Sequence, residues 1–168
     1  MNRIILSLIS SFCFLHSLVH AQCNQPILKI ISFTDGSEVE TSYCGIVNDR
    51  GQRHGQGRLE YINYDIFYEE GIWKNDQLHG DGKTVYTNGQ KYEGVYESGK
   101  LTKGMFSSNS NCDLWTYEGE FNGNYFQGLG IERREVNNQI IIKEGDFFSD
   151  KLYQGTETVL FTNSGVEI

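Results

Sequence analysis

Polar and apolar residues alternate with period two over short stretches of this chain, and the stretches recur. In residues 91–97, KYEGVYE, alternate side chains share one face of a strand. Tyr92, Gly94 and Tyr96 therefore lie together, with Glu93 and Val95 opposite. The same figure returns at Glu69-Glu70-Gly71-Ile72-Trp73, Tyr117-Glu118-Gly119-Glu120-Phe121 and Lys143-Glu144-Gly145-Asp146-Phe147. The spacings between successive glycines are 23, 25 and 26 residues. Self-similarity at such a period marks a repeat array. No helical period stands out beyond the first residues.

Each unit is predicted to hold two strands joined by a tight turn. The turns fall at Lys74-Asn75-Asp76-Gln77, Glu97-Ser98-Gly99-Lys100, Asn122-Gly123-Asn124 and Ser149-Asp150-Lys151. Units are linked at Thr87-Asn88-Gly89-Gln90, and Thr162-Asn163-Ser164-Gly165 closes the series. Asn-Gly supplies the positive φ angles that two-residue hairpin turns require. Five units start near Cys44, Glu69, Tyr92, Tyr117 and Lys143; the first is irregular, with one extra residue between Gly45 and Gly55. Ahead of them, residues 27–33 and 38–43 read as strands around Asp35-Gly36, a hairpin that caps the array. The domain reading is thus 22–43 for the cap and 44–168 for the repeats.

Glycine weakens a strand, so its recurrence needs compensation. In the second strand of a unit, Gly80, Gly82, Thr84 and Tyr86 share a face by alternation. A residue without a side chain leaves a slot, and a ring from a neighbouring strand can lie in it, burying a large area. Rings are therefore expected to cover glycines down the whole sheet.

These residues resemble the MORN (membrane occupation and recognition nexus) repeat, whose pattern is Tyr-Glu-Gly-x-Trp/Phe, a short turn, then Gly-x-Gly. "YEGEFNGNYFQGLG", from Tyr117 through Gly119, Phe121 and Gly128 to Gly130, is similar almost position for position. "EEGIWKNDQLHGDG" places Gly71, Trp73, Gly80 and Gly82 in the pattern, with Glu69 in place of the first Tyr. The units of Tyr92, Gly94 and Tyr96, and of Gly145 and Phe147, resemble a variant with a single shifted glycine. The resemblance covers about residues 44–165. It implies an all-β, elongated single-layer antiparallel sheet of hairpins, scaffolding or assembly roles, self-association in some members, and phospholipid contact.

Composition narrows the function. The chain has 168 residues, 19 glycines, one proline and formal charge −8. With 13% aromatics the glycines mark turns and not a disordered linker. An acidic chain is a poor partner for nucleic acid. Lys83, Lys91, Lys100 and Lys103 are scattered among acids, and Arg133-Arg134 is the lone adjacent basic pair, so any lipid contact is expected to be weak. Met1-Asn2-Arg3, the apolar run from Ile4 to Val19 and Ala21 suit a cleaved export signal over residues 1–21. The run is too short for a membrane span. Losing Arg3 takes the charge to −9. Cys23, Cys44 and Cys112 would remain; Cys23 and Cys44 flank a hairpin and can pair in an oxidising compartment, while three unlinked thiols is the other reading.

Candidate chemistry is sparse. His54 and His79 each precede a Gly-x-Gly and read as motif positions. Glu70, Glu93, Glu118 and Glu144 recur at one motif position, which predicts a spaced acidic row and not the close pair that glycosidase chemistry needs. "HGQG" and "HGDG" lack the Lys-Ser/Thr and helix of a phosphate loop. No catalytic residue, metal ligand or cofactor site is assigned. The expectation is an exported non-enzymatic scaffold that binds a protein partner or a second copy through its C-terminal edge, where Val159, Leu160 and Phe161 stand without a polar cap. Membrane-surface or glycan binding by exposed rings is the alternative.

Overall fold

The computed structural model describes residues 26–32, 36–110 and 113–162. The signal segment, Asp35, Cys23, Cys112 and residues 163–168 lie outside these. Among the described residues there are eleven strands in one antiparallel sheet, ordered as in the chain. They are β1 (Ile27–Ser32), β2 (Glu38–Val47), β3 (Arg53–Tyr61), β4 (Ile66–Lys74), β5 (Gln77–Tyr86), β6 (Lys91–Glu97), β7 (Lys100–Ser110), β8 (Asp113–Asn122), β9 (Tyr125–Val136), β10 (Gln139–Phe148) and β11 (Lys151–Phe161). β1 pairs with β2, and β2 runs unbroken past residue 43, so one strand serves both the cap and the first repeat.

The turns fall where the sequence puts them. Asn75-Asp76 and Ser149-Asp150 carry φ of 51° and 70°, and 47° and 68°, as two-residue hairpin turns demand. Asn137-Asn138 does the same between β9 and β10, a turn beyond those expected from the sequence. The turns at Asn75-Asp76 and Ser149-Asp150 also bind the unit before them. The Asp76 and Asp150 carboxylates accept from the Arg53 and Phe126 amides at 2.9 and 2.7 Å. Adjacent hairpins are thereby locked at their tips.

One row crosses the whole array. Gly45 pairs with Gly57, Gly57 with Gly71, and the series continues through Gly82, Gly94, Gly104, Gly119, Gly130 and Gly145 to Gly155. Ten consecutive strands, β2 to β11, each place a glycine in register. Within each hairpin the two backbones nearly touch. A Cβ on Gly119 would lie 2.6 Å from the Gly130 Cα, and one on Gly71 would lie 2.5 Å from the Gly82 Cα. Such an approach is closer than a hydrogen-bonded pair allows, so these are the narrow pairs of the ladder.

Just beyond the row the register slips. From Gly71 to Trp73 two steps on β4 face four on β5, Gly82 to Leu78. β2–β3 and β8–β9 slip likewise by two residues, while β6–β7 and β10–β11 slip by one. The extra residues bend each strand. Two expectations change here. Gly80 and Gly128 sit in the slipped segments with φ of 99° and 61°, and Gly80 faces the Ile72 side chain, away from the face of Gly82. The single-glycine units are not shifted at the row: Gly104 and Gly155 are fully in register, and their hairpins merely lack one bulge residue.

The bend brings rings from both sides of the row together. Tyr117 and Phe121, four residues apart on β8, have centroids 5.1 Å apart, and Tyr117 stacks on Phe126 at 3.9 Å. Phe147 and Phe106 close around them. Tyr92, Tyr96, Trp73 and Leu59 extend this one-sided core toward the N-terminus. Rings do cover glycines: the Tyr117 hydroxyl lies over Gly119 and Gly130, that of Tyr43 over Gly45 and Gly57, and the Tyr96 ring over Gly82. The slips leave carbonyls that the ladder does not use, and polar tips reach them. Tyr43 donates to the Ile46 carbonyl at 3.0 Å and Tyr117 to that of Glu120 at 3.1 Å. In the single-slip hairpin the equivalent Val95 carbonyl takes a bond from Thr102 at 3.0 Å. Trp73 donates to the Gly57 carbonyl at 2.9 Å.

Gly119→Ala is expected to cost about 1–3 kcal/mol, because the added methyl meets the Gly130 backbone and the Tyr117 hydroxyl. Gly123→Ala, at a positive φ but with open space around it, should cost about 1 kcal/mol. Urea denaturation of the two variants checks the contrast.

Candidate interaction surfaces

The ring face is filled. Tyr117 and Phe147 have no exposed surface, and Trp73, Tyr92, Tyr96 and Phe121 are buried. Burial pushes the Tyr43, Tyr92 and Tyr117 hydroxyls up to about 12. The repeat-motif rings are committed to packing and cannot stack on a sugar; the exposed rings are Phe67, Tyr125, Phe148, Tyr153 and Phe161.

The outer face carries the acidic row that the motif positions predict. Cross-strand partners follow one another as Arg58, Glu70, Lys83, Glu93, Met105, Glu118, Ile131, Glu144. In the N-terminal half each intervening position is a cation. Glu70 sits 3.5 Å from Arg58 and 3.6 Å from Lys83. In the C-terminal half Met105 and Ile131 stand in the cations' places. Glu93 is held by Lys91 at 2.7 Å, whereas Glu118 and Glu144 are exposed beside apolar neighbours.

Beside this C-terminal half the glycine row forms the floor of a trough of about 830 Å³. Gly104, Gly119, Gly130 and Gly145 floor it; the row from Glu93 to Glu144 is one wall, and Lys103 and Leu129 stand on the other. Leu129 is 68% exposed, and Met105 and Ile131 are also open to solvent. The second open surface is β11. All but one of its residues are exposed, and Phe161 is 74% exposed. Val159 and Phe161 oppose Ile141 and Gln139 on the ring face, where the core runs out.

Basic side chains are largely engaged. Arg133 pairs with Glu135 at 2.6 Å, Arg134 covers the Trp115 ring at 4.3 Å, and Arg53 binds Asp76 at 3.0 Å. His54 and His79 lie on β3 and β5 with β4 between them. Cys44 is disulfide-bonded; its expected partner Cys23 is outside the described residues.

The sequence model of the MORN repeat matches residues 49–66, 70–91 and 117–138. The chain is a MORN-repeat protein. The matched segments contain the three Gly-x-Gly stretches, on β3, β5 and β9, whose hairpins carry the two-residue slip; the first match begins after β2. The single-slip hairpins of β6–β7 and β10–β11 escape the match, although their glycines hold the same row. The family supports a repeat-based binding or scaffold role.

One half-buried polar group was not foreseen. Glu69 replaces the first Tyr of its repeat, and its carboxylate accepts from the Tyr61 hydroxyl at 2.7 Å. Burial pushes the Glu69 carboxyl above its ordinary value of 4.5, against the opposing effects of Tyr61, Arg53 and Thr84. The folded protein thus holds this proton more tightly than the unfolded chain. Its contribution favours folding below pH 4.5 and is lost as pH rises through the raised value. Glu69→Gln should therefore gain stability relative to the parent as pH rises from 4 to 7, measured by thermal unfolding at each pH; a constant difference would contradict the assignment.

Proposed function

We propose that this MORN-repeat protein is an exported, non-enzymatic scaffold that joins a protein partner or a second copy of itself through the C-terminal sheet edge. The observation that carries the reading is β11. Among the described residues it is the last strand in the sheet order, its outer edge pairs with no other strand, and Val159, Leu160 and Phe161 are exposed. An exposed apolar edge is a template for another strand. Export rests on the N-terminal signal and is consistent with the disulfide at Cys44. The non-enzymatic reading rests on the family and on the spaced placement of the two histidines and the row glutamates. A weak lipid contact has less support, since Arg58, Lys83, Arg133 and Arg134 face carboxylates or rings.

Sedimentation of the secreted form over a wide concentration range tests the homomeric version. A Val159→Lys, Phe161→Glu double variant should weaken association at least about tenfold. A parent that stays monomeric at high concentration moves the edge to a foreign partner. Co-purification from envelope extracts that is unchanged in the double variant removes the edge from the account.

A further inference from the structure

The trough on the outer face is a surface separate from β11, and its chemistry selects a partner. We infer that it binds an extended, cation-bearing peptide segment in polyproline II conformation, with Lys or Arg at every third residue.

Spacing comes first. Glu93, Glu118 and Glu144 recur every second strand, which sets them about 9.6 Å apart for strands about 4.8 Å from one another. A polyproline II helix turns once per three residues and rises about 9.3 Å per turn. Side chains three apart therefore project to the same side at the interval of the carboxylates. A β-strand returns to the same side after about 6.7 Å. Two α-helical turns take about 10.8 Å, and the helix is about 10–12 Å across. That is wide for a floor one glycine deep on each strand. A slender chain can lie on Gly104, Gly119 and Gly130, where no side chain intervenes.

Charge comes second. The N-terminal half of the same row supplies its own answer: Arg58 and Lys83 flank Glu70. Where Met105 and Ile131 replace those cations, the protein leaves the carboxylates of Glu118 and Glu144 to be matched from outside. The replacing side chains are apolar and exposed, and with Leu129 they offer contact to the pyrrolidine or aliphatic residues between a partner's cations. Lys103 stands on the far wall, across the strand from Glu120. Extended segments with pre-set backbone bind at low entropic cost, a recognised mode for grooves.

The test uses the disulfide-intact secreted protein and three synthetic peptides: repeated Lys-Pro-Pro triplets, the same composition with its lysines in one block, and repeated Glu-Pro-Pro triplets. Calorimetry should show the Lys-Pro-Pro triplets binding several-fold more tightly than the block peptide, and no binding of the Glu-Pro-Pro peptide. Glu118→Gln and Glu144→Gln should each weaken binding about threefold. Met105→Lys with Ile131→Lys rebuilds the self-neutralised arrangement of Lys83 and should abolish it. Equal binding of triplet and block peptides would reduce the effect to general attraction by an acidic protein and overturn the inference. So would absence of triplet binding, or triplet binding unchanged in Glu118→Gln and Glu144→Gln. Association of the chain with itself is read separately and does not depend on the outcome.

Discussion

The structure depends on two backbones approaching too closely for any side chain to fit between them. In each repeat hairpin the row glycines bring their Cα atoms into narrow contact, and the hairpin-to-hairpin pairs carry the register of the row across ten strands. Everything else follows from that line. The slips beyond it bend the strands, and the bend lets rings from above and below the line meet. Tyr117 on Phe126 is the clearest case. A single-layer sheet has no second layer to cover it, so a one-sided core requires such folding of the sheet onto itself. Aromatic pairs of this kind contribute about 0.5–1.5 kcal/mol each beyond the area they bury.

The same line separates two surfaces with different uses. On the ring side, glycine gives room for the Tyr43, Tyr96 and Tyr117 rings, and the packing is complete. On the outer side, the missing side chains leave a trough. The repeat thus makes a core and a groove from one residue type. Divergence among units then differentiates the groove. Arg58 and Lys83 close the electrostatics of its N-terminal half, while Met105 and Ile131 leave its C-terminal half open.

Much of this was legible in the sequence. Alternation assigns faces, so Tyr92, Gly94 and Tyr96 could be placed together, and the recurring Glu positions could be read as a row. Turn chemistry placed Asn75-Asp76 and Ser149-Asp150. What could not be read was register. Alternation says which face a residue takes but not which residue it meets, because one or two bulge residues intervene between turn and row. For that reason Gly104 and Gly155 passed as shifted glycines, and Gly80 was put on the wrong face. The charge state of the acidic row was hidden for the same reason: Glu70 differs from Glu118 only in its cross-strand neighbours. Tyr61 and Glu69 are eight residues apart and meet only once β3 and β4 pair.

The continuous glycine register is the claim on which the rest stands, and proton–proton contacts in solution test it most directly. Narrow antiparallel pairs bring α-protons within range of a strong nuclear Overhauser effect, and wide pairs do not. The account predicts strong α-proton contacts for Gly45–Gly57, Gly71–Gly82, Gly94–Gly104, Gly119–Gly130 and Gly145–Gly155, with ring contacts between Tyr117 and Phe126. Glycines that instead show strong α-proton contacts to non-glycine partners, or a Tyr117 ring without contact to Phe126, would contradict the row and the bend together.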